Sequence, residues 1–421
     1  MNAFQKLMRC WTALAPYNAV QAIEIDGIAE LAQWRTATDK VVAELTRLKL
    51  IPPIRPPANI EYVTDGTSCK DIITRQINTP FTEGGSPIRL CLVQNPRSFH
   101  LIVTYDHWIA DSWSIREFMR CIYFQACRNS IVTELASGAS SDEGTHWLQS
   151  CSQCLRQYLR HRRASRLHFS DPLDFTTGLA SVALESDLIC KVKEAARRKK
   201  VSVHDIFVTI IARLLGDLTG EDRYKPRRFG HAARDRVAIG SIVDIRKSLS
   251  AARGGNAQNR DAYNKSFGVC LGFTTVVTQA PEKTPVDQLL QTVHQQHLEQ
   301  KRRSSPTASL AALNLTRFFW NLYKEKRHHA IFFSKNLPLL AGISNVNLTD
   351  QWMCQSGEAG MNIRDYFRVS PVGPLLPLVW ATTTFNDRLT ICLTYRHTAI
   401  NDQKADALIS DFVTMLQSIC A

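Results

Sequence analysis

Residues 105–114 read YDHWIADSWS, with a histidine at position 107 and an aspartate four residues later at 111. The run before them, FHLIVTYDH (99–107), is largely apolar and rich in residues that favour a strand. From Ser112 to about Arg128, Trp113, Phe118, Met119, Ile122 and Tyr123 fall on one face of a helix. His107 therefore closes a strand, and Asp111 or Ser112 stands at the helix N-cap, where a short oxygen-bearing side chain accepts from free backbone N–H groups. A histidine at such a junction suits proton transfer, because its pKa lies near neutrality and a neighbour can hold its ring in one tautomer. A satisfied histidine beside a helix cap would look the same. The spacing alone does not separate the two.

The surroundings place the junction in a mixed fold. PIRLCLV (87–93), the turn-rich QNPRS and FHLIVTYDH form an antiparallel hairpin. NAVQAIEID (18–26) alternates as a strand, and helical spacing follows it to about Leu48. Residues 137–145, SGASSDEGT, are small and polar, and a basic stretch runs from there to Arg166. We place a boundary between a first lobe, 1–170, and a second, 171–421. The second begins with a strand, a helix and another helix capped near Ser202. Strands are expected at 237–246, 266–278 and 341–349, a helix at about 284–303, a hairpin turning at Asn386-Asp387, and a closing helix. Both lobes mix strands with helices, so the fold class is α/β or α+β, built on mixed sheets.

A chain of 421 residues is long enough for two hydrophobic cores, and 44% apolar with 21% charged residues is a globular composition. No apolar run reaches the roughly 18–20 residues of a membrane span. The N-terminus lacks a long apolar stretch and a small-residue cleavage site, so a cytoplasmic location is expected; the chain is also expected to be a monomer. Twelve cysteines are scattered through the chain, many in apolar segments, as reduced buried thiols are. The CxxC at Cys151–Cys154 has no second pair at zinc spacing, and no metal is expected. The net charge of +13 favours an anionic partner. No nucleic-acid-binding signature accompanies it, and nucleic acid is not expected among the partners. A nucleophile elbow, a phosphate loop and a dinucleotide fingerprint are absent from the sequence.

The stretch NTPFTEGGSPIRLCLVQNPRSFHLIVTYDHWIADSWS (78–114) resembles the histidine-motif region of condensation domains and their chloramphenicol-acetyltransferase-like relatives, whose motif is HHxxxDG, often extended by Trp-Ser. Later pieces agree in order: VDIR (243–246) resembles the Val-Asp-x-Arg strand, FGVCLGFTTVV (267–277) the core strand after it, and GISNVNL (342–348) the Ser-Asn strand. LTICLTYRHTAIN (389–401) with its helix resembles the C-terminal hairpin and helix. The resemblance implies two lobes, each a mixed sheet with helices, and an active-site channel between them. It implies an acyltransferase that moves an acyl group from a coenzyme A or acyl-carrier thioester to an alcohol or amine, with no permanently bound cofactor. His107 would be the catalytic base, Asp111 a structural partner of Arg246, and Ser112, Ser344 and Asn345 would line the channel or meet the oxyanion.

Departures from the pattern stand beside these expectations. Asp106 replaces the first histidine, Ser112 replaces the motif glycine, and the DFGWG signature of plant acyltransferases is absent. These motivate an alternative, an inactive relative that docks a carrier domain. The remaining histidine pairs are expected to be structural. His328-His329 lacks a following aspartate, His204-Asp205 reads as a helix cap, and the spacing from His397 to Asp402 carries no special meaning.

Overall fold

In the computed structural model the described residues are 2–51, 59–128, 136–137, 152, 155, 158–224, 233–248, 265–302, 313–314, 316–348 and 361–420. Cys151, Cys154 and residues 138–145 lie outside them, as do Arg156 and Gln157 of the basic stretch that runs to Arg166.

The elements follow in chain order as α1 (Ala3–Thr12), β1 (Asn18–Asp26), α2 (Leu31–Arg47), β2 (Ile60–Val63), α3 (Cys69–Asn78), β3 (Ile88–Gln94), β4 (Ser98–Asp106), α4 (Ser112–Arg128) and β5 (Ala136–Ser137). Then come β6 (Thr177–Leu184), α5 (Ser186–Arg198), α6 (Val203–Thr219), β7 (Arg236–Asp244), β8 (Ser266–Phe267) and β9 (Leu271–Gln279). The last are α7 (Val286–Arg302), α8 (Lys326–Asn336), β10 (Ala341–Asn347), β11 (Ile363–Val369), β12 (Leu378–Phe385), β13 (Arg388–Arg396) and α9 (Asp402–Cys420).

Two compact units result. Unit 1 gathers residues 1–143, 244–271 and 348–371, and unit 2 gathers 144–243, 272–347 and 372–421. The chain thus returns to unit 1 twice beyond the expected boundary near 170, and Arg246 shares unit 1 with His107. Unit 1 carries a five-stranded sheet in the order β11-β1-β4-β3-β2, and unit 2 a six-stranded sheet in the order β6-β13-β12-β10-β7-β9. Both are mixed: β4 is antiparallel to β1 and β3 while β2 runs parallel to β3, and β13 is antiparallel to β6 and β12 while β10 runs parallel to β12.

The plan β1-β4-β3-β2 is therefore repeated as β6-β13-β12-β10, a likeness of topology that no short-period sequence pattern reveals. In each unit the second hairpin strand ends on Tyr-x-His before a helix. Tyr105 meets His107 edge-on with ring centroids 5.6 Å apart, and Tyr395 meets His397 likewise at 5.3 Å.

Local chemistry explains most boundaries. The β12–β13 hairpin turns at Asn386 and Asp387, with φ of 46° and 57°, the left-handed pair that a tight two-residue hairpin requires and that these side chains tolerate. Residues 266–278, expected as one strand, are two, because the chain breaks at Gly268, whose φ of 127° suits glycine. The strand expected to 246 ends at Asp244, so Arg246 leaves the sheet. Among the described residues nine cysteines are free thiols, and Cys91, Cys121, Cys270 and Cys392 are buried. Among the described residues, no helix is long and apolar enough to cross a membrane.

The unit 2 core centres on α6, which is apolar around most of its circumference and packs Phe207 against Phe412 of α9 at 5.8 Å. Its many β-branched residues weaken helix propensity, and burial overrides that preference. Ser202 and Asp205 form a reciprocal capping box at its start. Asp205 does more than cap: its carboxylate accepts from Nδ1 of His294 at 2.8 Å and from Nδ1 of His297, both on α7. His204 packs beside His297 and places its Nε2 3.1 Å from Ser241 Oγ. Burial opposes the Asp205 charge, but the hydrogen bonds from His297, Ser202 and His294 prevail and hold its carboxyl well below the usual range.

Replacing Asp205 with alanine removes the cap and strips two histidines of their acceptor, which costs about 3 kcal/mol at neutral pH. Because the folded carboxyl titrates below its unfolded value, this contribution is intact above about pH 4 and fades in stronger acid. Urea melts of wild type and Asp205→Ala are expected to differ widely at neutral pH and to converge on acidification.

Candidate active site

Strand β4 delivers His107 to a tight turn. The His107 backbone N–H donates to Tyr17 O at 3.1 Å, and Ile109 N–H donates to Asp106 O at 3.1 Å. His107 Nδ1 lies 3.0 Å from Ala110 O. A carbonyl only accepts, so Nδ1 carries the proton and Nε2 presents a lone pair. Among the described residues no protein group hydrogen-bonds to Nε2. The ring is stacked on Tyr17 at 5.9 Å and 17°. Burial lowers its pKa below the ordinary 6.5, more than the Ala110 carbonyl and Asp111 raise it. The imidazole is therefore neutral at neutral pH, with one nitrogen ready to take a proton.

Asp106, standing where the related motif has its first histidine, is 4% exposed and clamps the turn. Its carboxylate accepts from Thr12 Oγ1 at 2.9 Å and from Trp108 Nε1 at 2.8 Å. Burial pushes its pKa up to about 6 against both hydrogen bonds. Helix α1 supports the same turn through Gln5 Nε2, which donates to Trp108 O at 3.1 Å, and at its N-cap Asn2 Nδ2 holds the stretch after β8 by donating to Val269 O at 2.7 Å.

Asp111 is fully buried and every oxygen is used. Oδ1 accepts from Ser114 N–H at 2.9 Å, which caps α4, and Oδ2 accepts from Cys270 N–H at 2.9 Å. Arg246 Nη2 reaches Oδ2 at 2.8 Å and Oδ1 at 2.9 Å. The guanidinium is held further by Ser266 O at 3.0 Å, Asp244 Oδ2 at 3.1 Å and the Trp113 ring at 4.4 Å. Burial works against the Arg246 charge, yet Asp111 and Asp244 hold its pKa above the ordinary value. The backbone joins in, as Asp111 N–H donates to Gly268 O and Ile245 N–H to Cys270 O, each at 3.0 Å. Ser114 Oγ accepts from Gly268 N–H at 3.0 Å. Asp111 thus orders the turn through its own surroundings, while Ala110 orients the imidazole.

Ser112 opens α4. Its hydroxyl lies 3.2 Å from Nη1 of the buried Arg368 on β11, and its carbonyl accepts from Gln21 Nε2 at 2.9 Å. An arginine only donates, so the hydroxyl accepts there and keeps its own proton for another acceptor. His107, Asp111, Ser112 and Arg246 therefore share unit 1, whereas Ser344 and Asn345 lie half-buried on β10 of unit 2, with Asn345 Oδ1 accepting from Thr382 Oγ1 at 2.8 Å.

The His397–Asp402 spacing does bring a pair together, with Nδ1 3.2 Å from Oδ1, because the turn after β13 doubles the chain back before α9 begins. Sequence reasoning missed Thr12, Tyr17, Ser114, Gly268 and Arg368. Asn2-x-x-Gln5 has the form of a capping box and marks α1, but nothing local announces the partners of the other residues.

The fold is that of condensation domains and chloramphenicol-acetyltransferase-like acyltransferases. Trichothecene 15-O-acetyltransferase from Fusarium sporotrichioides superposes with a TM-score of 0.68 at 11% identity, over 99% of this chain and 94% of that one. The condensation domain of the monacolin K polyketide synthase gives 0.65 at 11% identity, over 99% and 96%. A starter condensation domain of rhizomide synthetase, solved with C8-CoA and Leu-SNAC, gives 0.66 at 13% identity, over 100% and 94%. No protein-family model matches the chain, and no curated protein matches it in sequence.

Two substitutions probe the site's construction. Arg246→Ala leaves the buried Asp111 carboxylate without its counter-charge and is expected to cost about 3–5 kcal/mol in urea unfolding; Asp111→Ala leaves Arg246 with Asp244 and is expected to cost less, while the apolar double variant Asp111→Leu with Arg246→Met recovers part of the loss seen in Arg246→Ala. Ser112→Gly removes an acceptor from a buried guanidinium and is expected to cost about 1 kcal/mol, read as a lower urea midpoint.

Proposed function

We propose that this protein transfers an acyl group from a thioester to a hydroxyl or amine, forming an ester or amide. The observation that carries the reading is the state of His107: a neutral ring, fixed through Nδ1 on Ala110 O, with Nε2 unoccupied by any of the described residues, on an acyltransferase-like fold. In the proposed reaction Nε2 takes the proton from the acceptor O–H or N–H as that atom attacks the thioester carbonyl. The tetrahedral oxyanion then collapses, the carbon–sulfur bond breaks, and the imidazolium returns the proton to the departing thiolate. Asp111 and Arg246 position the turn and touch no reactant. Ser112, which keeps a hydroxyl proton, and Ser344 and Asn345, by their resemblance to the Ser-Asn strand, are proposed to meet the oxyanion or the thioester arm. Coenzyme A and carrier-borne phosphopantetheine both bring phosphate, which a chain of net charge +13 attracts.

A second reading, an inactive relative that docks a carrier domain, is favoured by Asp106 and Ser112, since both depart from the motif and both are engaged by neighbouring side chains.

Thiol release from acyl-coenzyme A and acyl-carrier thioesters, with pooled alcohol and amine acceptors, tests the reading. His107→Ala is expected to lower turnover about a thousandfold while the protein stays folded at assay temperature, its melting temperature falling modestly as the Ala110 hydrogen bond and the Tyr17 stacking are lost. The base works only unprotonated and its pKa is lowered, so activity is expected to persist below pH 6.5 before falling in acid. Equal turnover in His107→Ala would overturn the assignment, and carrier binding without turnover would support the docking reading.

A further inference from the structure

Residues 316–323, which precede α8, expose a set of apolar side chains on unit 2. Residues 316–321 are helical, and α8 follows from Lys326. Trp320 anchors the segment: it is 2% exposed, stacks on His329 at 4.5 Å and 3°, and meets Phe332 and Phe333 at 5.6 Å and 5.5 Å. Its neighbours are treated oppositely. Phe318 is 59% exposed, Phe319 47%, Leu322 62% and Tyr323 39%. Lys324, Lys326 and Arg327 follow directly and are exposed. The single carboxylate among residues 316–328, on Glu325, lies 3.4 Å from His328 Nδ1.

A second exposed set, Leu155, Tyr158 and Leu159, accompanies the exposed Arg162. It is tied to the same two helices. Arg160 Nη2 donates to Gln296 Oε1 on α7 at 2.6 Å, and Arg166 Nη2 donates to the carbonyl of Lys335 on α8.

We propose that this face of unit 2 binds the surface of an anionic lipid bilayer, with Phe318, Phe319, Leu322 and Tyr323 entering the boundary layer and Lys324, Lys326 and Arg327 meeting headgroup phosphates. Aromatic and aliphatic side chains beside lysines and arginines are the composition that boundary accepts, apolar below and charged above. Exposure of more than half at Phe318 and Leu322 means that these side chains stand out of the surface rather than line a groove for a protein segment. A second copy of the chain is disfavoured, because two bodies of charge +13 repel. The proposal is independent of the acyl-transfer reading.

The test is co-sedimentation of the full chain with vesicles of phosphatidylcholine alone and of phosphatidylcholine mixed with phosphatidylserine. The expected result is retention by the anionic vesicles only, weakening as salt is raised. The variant Phe318→Ser/Phe319→Ser/Leu322→Ser is expected to lose binding at least about tenfold. Lys324→Gln/Lys326→Gln/Arg327→Gln is expected to lose it on the order of a hundredfold and to flatten the salt dependence. All three positions of each variant are on the surface, so melting temperatures are expected to match wild type and are measured alongside. No retention above that on phosphatidylcholine alone, retention unaffected by either variant, or capture of an acidic carrier protein through this face with vesicles left unbound would each overturn the proposal.

Discussion

The ion pair between Asp111 and Arg246 is the constraint on which the surroundings of the His107 turn depend. Its partners are 135 residues apart, and their meeting fixes three stretches of chain at once. The turn after β4 is held by Asp111 itself, the stretch after β7 by the guanidinium, and residues 266–270 by backbone bonds to both. A buried pair of this kind adds little net stability, because desolvating two charges offsets most of their attraction. Its value lies in specificity. With both oxygens of Asp111 and several donors of Arg246 engaged, only one arrangement of the three stretches leaves no buried charge unmet.

That arrangement frees the imidazole from a task often given to a carboxylate. In His107 the tautomer is set by a backbone carbonyl, which carries no full charge. A carboxylate on Nδ1 would raise the ring's pKa; the carbonyl raises it less, and burial is left to lower it. The neighbouring Asp106 shows the reverse balance. The same dry surroundings that keep the imidazole neutral push this carboxyl up to about 6, against the hydrogen bonds from Thr12 and Trp108 and the more distant charge of Arg89. One desolvated turn thus shifts a base and an acid in opposite directions, each toward its neutral form.

Periodicity made much of this legible. The alternation of NAVQAIEID, the hairpin that ends on His107 and the amphipathic run from Ser112 each correspond to an observed element, since local side-chain spacing reports element type even though β1 and β4 are buried on both faces. The cap at Ser202 and the turn at Asn386-Asp387 were readable for the same local reason. What escaped was long-range. Residues 266–278 look like one strand because nothing local reveals that Gly268 must bend to offer its carbonyl to Asp111. Arg368 looks like an alternating surface position on β11, yet it is 3% exposed, because β11 pairs with β1 and turns that face toward Ser112. Such contacts depend on which strands become neighbours, and a single chain's spacing does not encode that.

The repeated topology carries its own comparison. His107 is followed after three residues by Asp111, which caps α4 through Ser114 N–H at 2.9 Å; His397 is followed after three residues by Asn401, which caps α9 through Lys404 N–H at 2.9 Å. The two turns build the same hydrogen bond, one with a charged side chain and the other with its neutral counterpart. Starting a helix after a Tyr-x-His strand end therefore requires no charge. The negative charge at 111 is surplus to the turn it sits in, and its work is done at a distance, drawing the segment around Arg246 out of the order of the chain. Half of the molecule thus displays what the other half would be with an amide in that place: a sound turn, a capped helix, and no electrostatic reason for a remote stretch of sequence to come back.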